Sequence, residues 1–185
     1  MSGARLRITA GLFRGRPVQV PPGARPTESR VREALFSIWH DGLEGCSFLD
    51  LFAGSGAVGL EALSRGADRV VFVESNRRAA RTLHRNLEHF ELSPGAYRLR
   101  CQPAAEAVAE MAAGEKRFDR IFADPPYSWS LPPGFLGEVV DLLAPGGHFG
   151  LERPAGSAPP AEAPGIVRIE QRRYGGSVLL FYARG

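Results

Sequence analysis

The stretch over residues 48–63, FLDLFAGSGAVGLEAL, constrains the fold of this chain more than any other. It begins as an apolar run typical of a buried strand, breaks at Gly54, Ser55 and Gly56, and continues with the composition of an apolar helix. Glycine lets the backbone approach a ligand closely, and the first N–H groups of the next helix point toward that ligand. The stretch therefore predicts a strand, a glycine turn and a helix that together bind a cofactor.

The residues around this turn satisfy two cofactor patterns. Gly54, Gly56 and Gly59 have the spacing of a dinucleotide fingerprint, and Glu74 lies 20 residues past Gly54, where an acid would hold ribose hydroxyls. The same residues, with Asp50 four residues before Gly54, also fit a pattern for nucleoside methyl donors. The glycines alone do not separate the two patterns.

Strand-like and helical segments alternate along the chain after residue 45. Strands are predicted over 46–51, 69–74, 96–101, 118–123, 148–152, 166–173 and 177–184, and helices over 57–65, 77–90, 104–112 and 134–143. Short strands with helical crossovers predict an α/β fold, a doubly wound, mostly parallel, seven-stranded sheet with helices on both faces. Gly175 and Gly176 separate the last two strands, which predicts an antiparallel C-terminal hairpin.

The first 40 residues predict a basic extension packed on the main domain. Residues 5–20 indicate a short β-ribbon, and a helix is predicted over 28–39 with Thr27 as its N-cap. This segment has a net charge of +5, whereas the remainder sums to −2. That distribution favours contact with a polyanion, with phosphate as the leading candidate.

We therefore expect an extension over 1–40 and a main domain over 41–185. The candidate residues for contact with a nucleic acid are the arginines of the extension: Arg5, Arg7, Arg14, Arg16, Arg25, Arg30 and Arg32.

Composition argues against several other classes of protein. No apolar run approaches the length of a membrane span, and the N-terminus lacks an apolar signal region, so a cytoplasmic protein is expected. The four histidines show no ligand spacing with one another or with the two cysteines, so no metal site is predicted. Cys46 and Cys101 are expected to be small buried side chains.

A second motif, DPPY over 124–127, follows the predicted strand 118–123 and so lies at the same sheet edge as the glycine turn. Its two prolines remove N–H donors and leave carbonyl and carboxylate oxygens beside the ring of Tyr127. This set suits a planar amino group, because the oxygens accept its N–H bonds while the tyrosine stacks on its ring. Asp124 can accept a proton as the nitrogen attacks a sulfonium methyl group and displaces the thioether. The motif therefore favours methyl transfer, since hydride transfer gives it no obvious task.

These motifs carry a resemblance to known proteins. DLFAGSGAVGLEALSRGA followed by DPPY resembles S-adenosylmethionine-dependent methyltransferases that modify amino groups. RITAGLFRGRPVQVP, RPTESRVREALFSIW and RRYGGSVLLFYAR resemble segments of the bacterial ribosomal RNA small subunit methyltransferase D family, which methylates the 2-amino group of a guanine in 16S ribosomal RNA. The resemblance covers nearly the whole chain. It implies S-adenosylmethionine as methyl donor, S-adenosylhomocysteine as product, and 16S ribosomal RNA or a small-subunit assembly particle as substrate; a monomer is expected.

The resemblance also implies roles for individual residues. The catalytic residues would be Asp124, Pro125 and Tyr127. The methyl donor would be bound by Asp50, Phe52, Ala53, Gly54, Ser55 and Gly56 along its methionine portion, by Glu74 at the ribose, and by Ser75, Asn76, Pro103, Ala104 and Ala105 near the adenine. Where relatives often have Asp or Asn after the third strand, this chain has Cys101-Gln102-Pro103, so backbone groups over 103–105 or the side chain of Gln102 would contact the adenine.

Three other functions remain open from the sequence. They are an adenine-amino DNA or RNA methyltransferase with the same DPPY motif, a nicotinamide-dependent oxidoreductase, and a non-catalytic RNA-binding module. Trp129 has two possible roles, stacking on a base or covering the pocket.

Overall fold

The structure, a computed structural model, describes residues 6–21, 29–157, 160 and 164–185. Its strands are β1 (Leu6–Arg7), β2 (Pro17–Val18), β3 (Ser47–Leu51), β4 (Arg69–Val73), β5 (Tyr97–Arg100), β6 (Phe118–Ala123), β7 (Leu143–Pro154), β8 (Ile166–Tyr174) and β9 (Ser177–Arg184). Its helices are α1 (Ser29–Ile38), α2 (Ala57–Ser64), α3 (Arg77–His89), α4 (Ala104–Ala112) and α5 (Phe135–Asp141).

The main sheet has seven strands in the order β5-β4-β3-β6-β7-β9-β8. The first five of these are mutually parallel, whereas β9 runs antiparallel to both β7 and β8. The chain builds outward from β3 in one direction and then continues from β6 in the other, so the two halves meet between β3 and β6. Ligands of doubly wound sheets bind at such a switch point. The predicted sheet and its antiparallel C-terminal hairpin are confirmed.

Helices cover both faces of the sheet, as predicted. On one face α2 and α3 pack through residues such as Leu60 and Leu83 in a core that also includes Phe48 of β3. On the other face α4 and α5 pack through Val108 and Val139. Every residue of β3 is buried, which explains why this central strand reads as SFLDL without a polar face.

The N-terminal extension packs into the first of these cores. β1 and β2 form a two-stranded antiparallel ribbon. Phe36 of α1 stacks near Phe48, and Trp39 lies edge-on to Phe48 and Phe181 at ring-centroid distances of 5.9 and 5.7 Å. The predicted N-cap Thr27 lies outside the described residues, and the division at residue 40 stays a prediction.

Two expectations from the sequence are corrected by the structure. β7 begins at Leu143 and ends at Pro154, longer than the predicted 148–152, because Leu143 pairs with Phe118 of β6 and residues 148–154 pair with β9. Cys101 is exposed rather than buried, whereas Cys46 is buried. Across the described ranges, no helix is long and apolar enough to cross a membrane.

Candidate active site

The glycine turn and the DPPY motif lie side by side at one edge of the sheet. Leu51, the last residue of β3, pairs with Ala123, the last residue of β6. Phe52 and Asp124 therefore leave adjacent parallel strands at the same level. The negative charge of Asp124 contributes to raising the pKa of buried Asp50, which places the two carboxyl groups within electrostatic reach.

The two glycines of the turn after β3 share a positive φ but differ in their surroundings. Phe52, Gly54 and Gly56 all have positive φ, at 64°, 55° and 81°. A Cβ on Gly54 would meet no atom closer than the Phe52 carbonyl oxygen at 4.0 Å, so this residue faces open space. A Cβ on Gly56 would lie 2.2 Å from a methyl carbon of Leu83, so that glycine is required by the packing of α3. Gly54 thus provides the close approach that a ligand needs.

Asp50 has an unusual environment for a carboxyl group. It is buried, and its Oδ2 accepts a hydrogen bond from the N–H of Gly59 at 2.9 Å. Burial raises the pKa of Asp50 to about 8; the Gly59 hydrogen bond opposes this, and the charges of Asp124 and Glu74 add to it. A cation placed beside Asp50 would favour its ionised form. This carboxyl group is therefore suited to a ligand with an ammonium group.

Glu74, directly after β4, connects the turn to the next helix. Its Oε2 accepts the N–H of Gly54 at 2.8 Å, and its Oε1 accepts the N–H of Asn76 at 2.7 Å. Asn76 caps α3, since its Oδ1 accepts the N–H groups of Arg78 and Ala79. Ser75, between them, is exposed. The predicted ribose-binding carboxylate thus lies against the glycine turn.

The predicted adenine-side residues lie at the end of the neighbouring strand. The N–H of Glu74 bonds to the carbonyl of Arg100 at 3.0 Å, which places the segment after β5 beside Glu74. Pro103 precedes the first residue of α4, Ala104 is buried, and Ala105 is half-buried. The side chain of Gln102 donates to Glu110 at 3.1 Å. Backbone groups over 103–105 therefore fit the adenine better than Gln102.

The side chains of the DPPY motif differ in their exposure to solvent. Asp124 is half-buried, Pro125 is buried, and the ring of Tyr127 is 56% exposed. Trp129 packs edge-on against Phe52 at 5.0 Å, so it joins the DPPY loop to the glycine turn. Of its two possible roles, this contact favours covering the site, whereas the stacking of Tyr127 on a base stays a prediction.

A buried polar cluster behind the turn was not predicted from the sequence. Glu61 of α2 is fully buried and accepts the N–H of Thr9 at 2.8 Å and the N–H of Ala10 at 3.0 Å. It also pairs with Arg65 at 2.9 Å. The signal in the sequence is a glutamate inside the apolar helix AVGLEALS, where burial requires partners.

The same cluster corrects one predicted RNA contact. Arg32 is fully buried, with its Nε 3.4 Å from Glu61 and its NH2 donating to the carbonyl of Arg7 at 2.9 Å. Burial lowers its pKa, and the charge of Glu61 opposes that shift. Arg32 therefore holds the extension to α2, and the prediction that it contacts RNA is wrong.

The other arginines of the extension differ in their surroundings. Arg7, Arg14 and Arg30 are exposed. Arg16 is half-buried, donates to the carbonyl of His89 at 2.7 Å and lies over the ring of Phe90. Arg5 and Arg25 lie outside the described residues. Arg7, Arg14 and Arg30 thus remain candidates for contact with a polyanion.

Comparison with known proteins gives a consistent result. Residues 6–183 match the family described as Conserved hypothetical protein 95. A relative from Escherichia coli K12 named ribosomal RNA small subunit methyltransferase D is 38% identical over 145 residues, which are 77% of this chain and 69% of the relative.

Two solved structures show the same architecture. A hypothetical protein of Thermus thermophilus superposes with a TM-score of 0.81 at 34% identity, covering 97% of this chain and 99% of that one. A SAM-dependent methyltransferase from Agrobacterium tumefaciens shares the fold with a TM-score of 0.62 at 19% identity, covering 86% of this chain and 62% of that one.

Proposed function

The chain belongs to the family described as Conserved hypothetical protein 95, and from that premise we propose that it transfers a methyl group from S-adenosylmethionine to the 2-amino group of a guanine in 16S ribosomal RNA. The relative from Escherichia coli carries that RNA class in its name. The fold is one used by methyltransferases that depend on S-adenosylmethionine.

One observation carries the proposal: β3 and β6 end side by side, so the DPPY motif follows its strand at the level where the glycine turn begins. A methyl-donor site and an amine-binding site at one edge are what transfer to an amino group requires. The contact between Phe52 and Trp129 holds the two loops together.

Each side chain of the site has a task in this reaction. S-adenosylmethionine supplies an electrophilic methyl group on a sulfonium. Asp50 would pair with its ammonium group, Glu74 with its ribose hydroxyls, and backbone groups over 103–105 with its adenine. Asp124 would accept a hydrogen bond from the guanine amino group, orient the nitrogen lone pair toward the methyl carbon and take the proton that the nitrogen loses as the methyl group passes from sulfur to nitrogen.

The substrate must present an unstacked base to this edge. An exocyclic amine in a stacked helix does not reach the half-buried Asp124, so a loop or a flipped nucleotide of the RNA is expected. Tyr127 would stack on that base, and exposed arginines of the extension would bind phosphates. We extend the proposal to a monomer that acts in the cytoplasm on naked RNA or on a small-subunit assembly particle.

The test is methylation by the purified protein with isotopically labelled S-adenosylmethionine. Unmodified small ribosomal subunits, 16S RNA and adenine-containing duplex DNA are offered in parallel, and the labelled nucleotide is mapped. We expect label on the 2-amino group of one guanine of the RNA. Label on adenine in the DNA would instead support an adenine-amino methyltransferase. Label on no substrate would support a non-catalytic RNA-binding module.

A further inference from the structure

One buried side chain behind the glycine turn has no part in the chemistry described above. Asn86 of α3 is 1% exposed, and its Nδ2 donates to the carbonyl of Ser55 at 2.8 Å, within the turn. The same Nδ2 donates to the carbonyl of Gln19 at 2.9 Å, and its Oδ1 accepts the N–H of Gln19 at 3.0 Å. A single amide thus connects the methyl-donor turn to the backbone of the N-terminal extension.

The geometry leaves this amide little freedom. Leu83, one helical turn before Asn86, occupies the space where a Cβ on Gly56 would lie, so α3 packs directly on the turn. Both N–H groups of the amide are used, and rotation of the side chain would take this donor away from the buried Ser55 carbonyl and from the Gln19 carbonyl. Leaving a buried polar group without a partner is unfavourable, so displacement of Gln19 and displacement of Ser55 are energetically linked through Asn86.

Gln19 directly follows β2, the second strand of the ribbon that carries the exposed Arg7 and Arg14. We propose that Asn86 is a positioning residue that couples the two ends of this contact: docking of the extension holds the Ser55 carbonyl, and with it the turn, in the arrangement that binds the methyl donor. Because coupling between sites is reciprocal, the occupied turn also favours the docked extension. The RNA side of this inference rests on the proposed RNA substrate, and the methyl-donor side rests only on the proposed donor.

The first test changes the extension and measures the turn. Gln19→Pro removes the N–H that Asn86 accepts, whereas Gln19→Ala keeps it, and the side chain of Gln19 is exposed. Calorimetric titration with S-adenosylhomocysteine, without RNA, is expected to show affinity weakened about three- to tenfold for Gln19→Pro and unchanged within about twofold for Gln19→Ala. Equal affinities for the two variants would overturn the proposal.

A second pair of variants carries the test if Gln19→Pro does not fold. Asn86→Ala removes the connecting amide. Its control is Ser64→Ala, because the Ser64 hydroxyl also binds the extension, accepting the N–H of Phe13 at 2.9 Å and donating to the carbonyl of Ala10, at the end of α2 away from the turn. We expect weaker binding of S-adenosylhomocysteine for Asn86→Ala only. An equal loss in Ser64→Ala would mean that any loosening of the extension has this effect, which would also overturn the role of Asn86.

The last measurement is the affinity for 16S RNA with and without S-adenosylhomocysteine. In the unaltered protein, we expect S-adenosylhomocysteine to increase the affinity for RNA about fivefold or more. In Asn86→Ala, we expect it to change that affinity little. The same ratio in both proteins would overturn the coupling. Absence of RNA binding by either would count against the proposed function, while the titrations without RNA would still decide the role of Asn86.

Discussion

At the scale of single residues, Asp50 makes the stability of the ligand-free protein depend on pH. Its pKa is raised from 3.8 to about 8, so between those values the folded protein holds a proton that the unfolded chain releases. This contribution is therefore fully present below about pH 4 and is lost as the pH rises toward 8. Thermal denaturation from pH 4 to pH 9 should show a falling melting temperature that is flatter in Asp50→Asn. Identical pH profiles for the two proteins would contradict the raised pKa.

Asp124 gives a prediction about turnover rather than stability. Because it would hold the amine and take its proton, Asp124→Asn should lower the methyl-transfer rate about 10²- to 10⁴-fold. Affinity for S-adenosylhomocysteine should stay within about threefold, since the turn and Glu74 are unchanged. Asp141→Asn, which removes an exposed carboxylate on α5, is the control and should have the rate of the unaltered protein. Near-normal turnover in Asp124→Asn would exclude the proposed proton acceptor.

At the scale of elements, two helical glycines that lack a positive φ should respond in opposite ways when alanine replaces them, one losing and the other gaining stability. A Cβ on Gly59 would lie 2.2 Å from the ring of Phe72, because α2 packs closely on β4, whereas a Cβ on Gly137 of α5 would meet nothing within 4 Å. Gly59→Ala should destabilise the protein by about 1–3 kcal/mol through overpacking. Gly137→Ala should stabilise it by about 0.5–1 kcal/mol through the lower entropy of the unfolded chain. Denaturant unfolding of both variants measures the difference, and effects of the same sign would contradict this account.

Local signals explain why the elements around the site could be predicted from sequence. A buried strand, a glycine turn and an apolar helix occupy consecutive residues, so the local pattern over 48–63 predicts β3, the turn and α2. The ends of β7 could not be predicted in this way, because Leu143 at its start pairs with Phe118 of β6 and Pro154 at its end pairs with Ser177 of β9. Arg32 shows the same limit for a single side chain. Its sequence neighbours indicate an exposed basic helix face, and only Glu61 on another helix makes it a buried residue.

At the scale of the whole molecule, the basic charge of the N-terminal segment serves two purposes. Arg32 is paired with Glu61 in the buried cluster, and Arg16 donates a hydrogen bond to the carbonyl of His89 at the end of α3. The excess of +5 in the first 40 residues therefore overstates the charge that faces an RNA. Arg14 and Arg30 are exposed, so replacing them removes charge from the surface of the extension without disturbing the cluster of Arg32 and Glu61.

Replacing Arg14 and Arg30 by Gln should weaken binding of 16S RNA and reduce its dependence on salt. Each lost phosphate contact is expected to lower the slope of log K against log salt by about 0.7 to 0.9. The matched control replaces Lys116 and Arg117 by Gln, which removes the same charge from exposed residues just before β6, at the sheet edge opposite the site. Affinity for S-adenosylhomocysteine should be unchanged in both double variants. If the control lowers the slope as much as the Arg14 and Arg30 variant, the RNA responds to net charge alone, and the extension does not form a specific phosphate-binding surface.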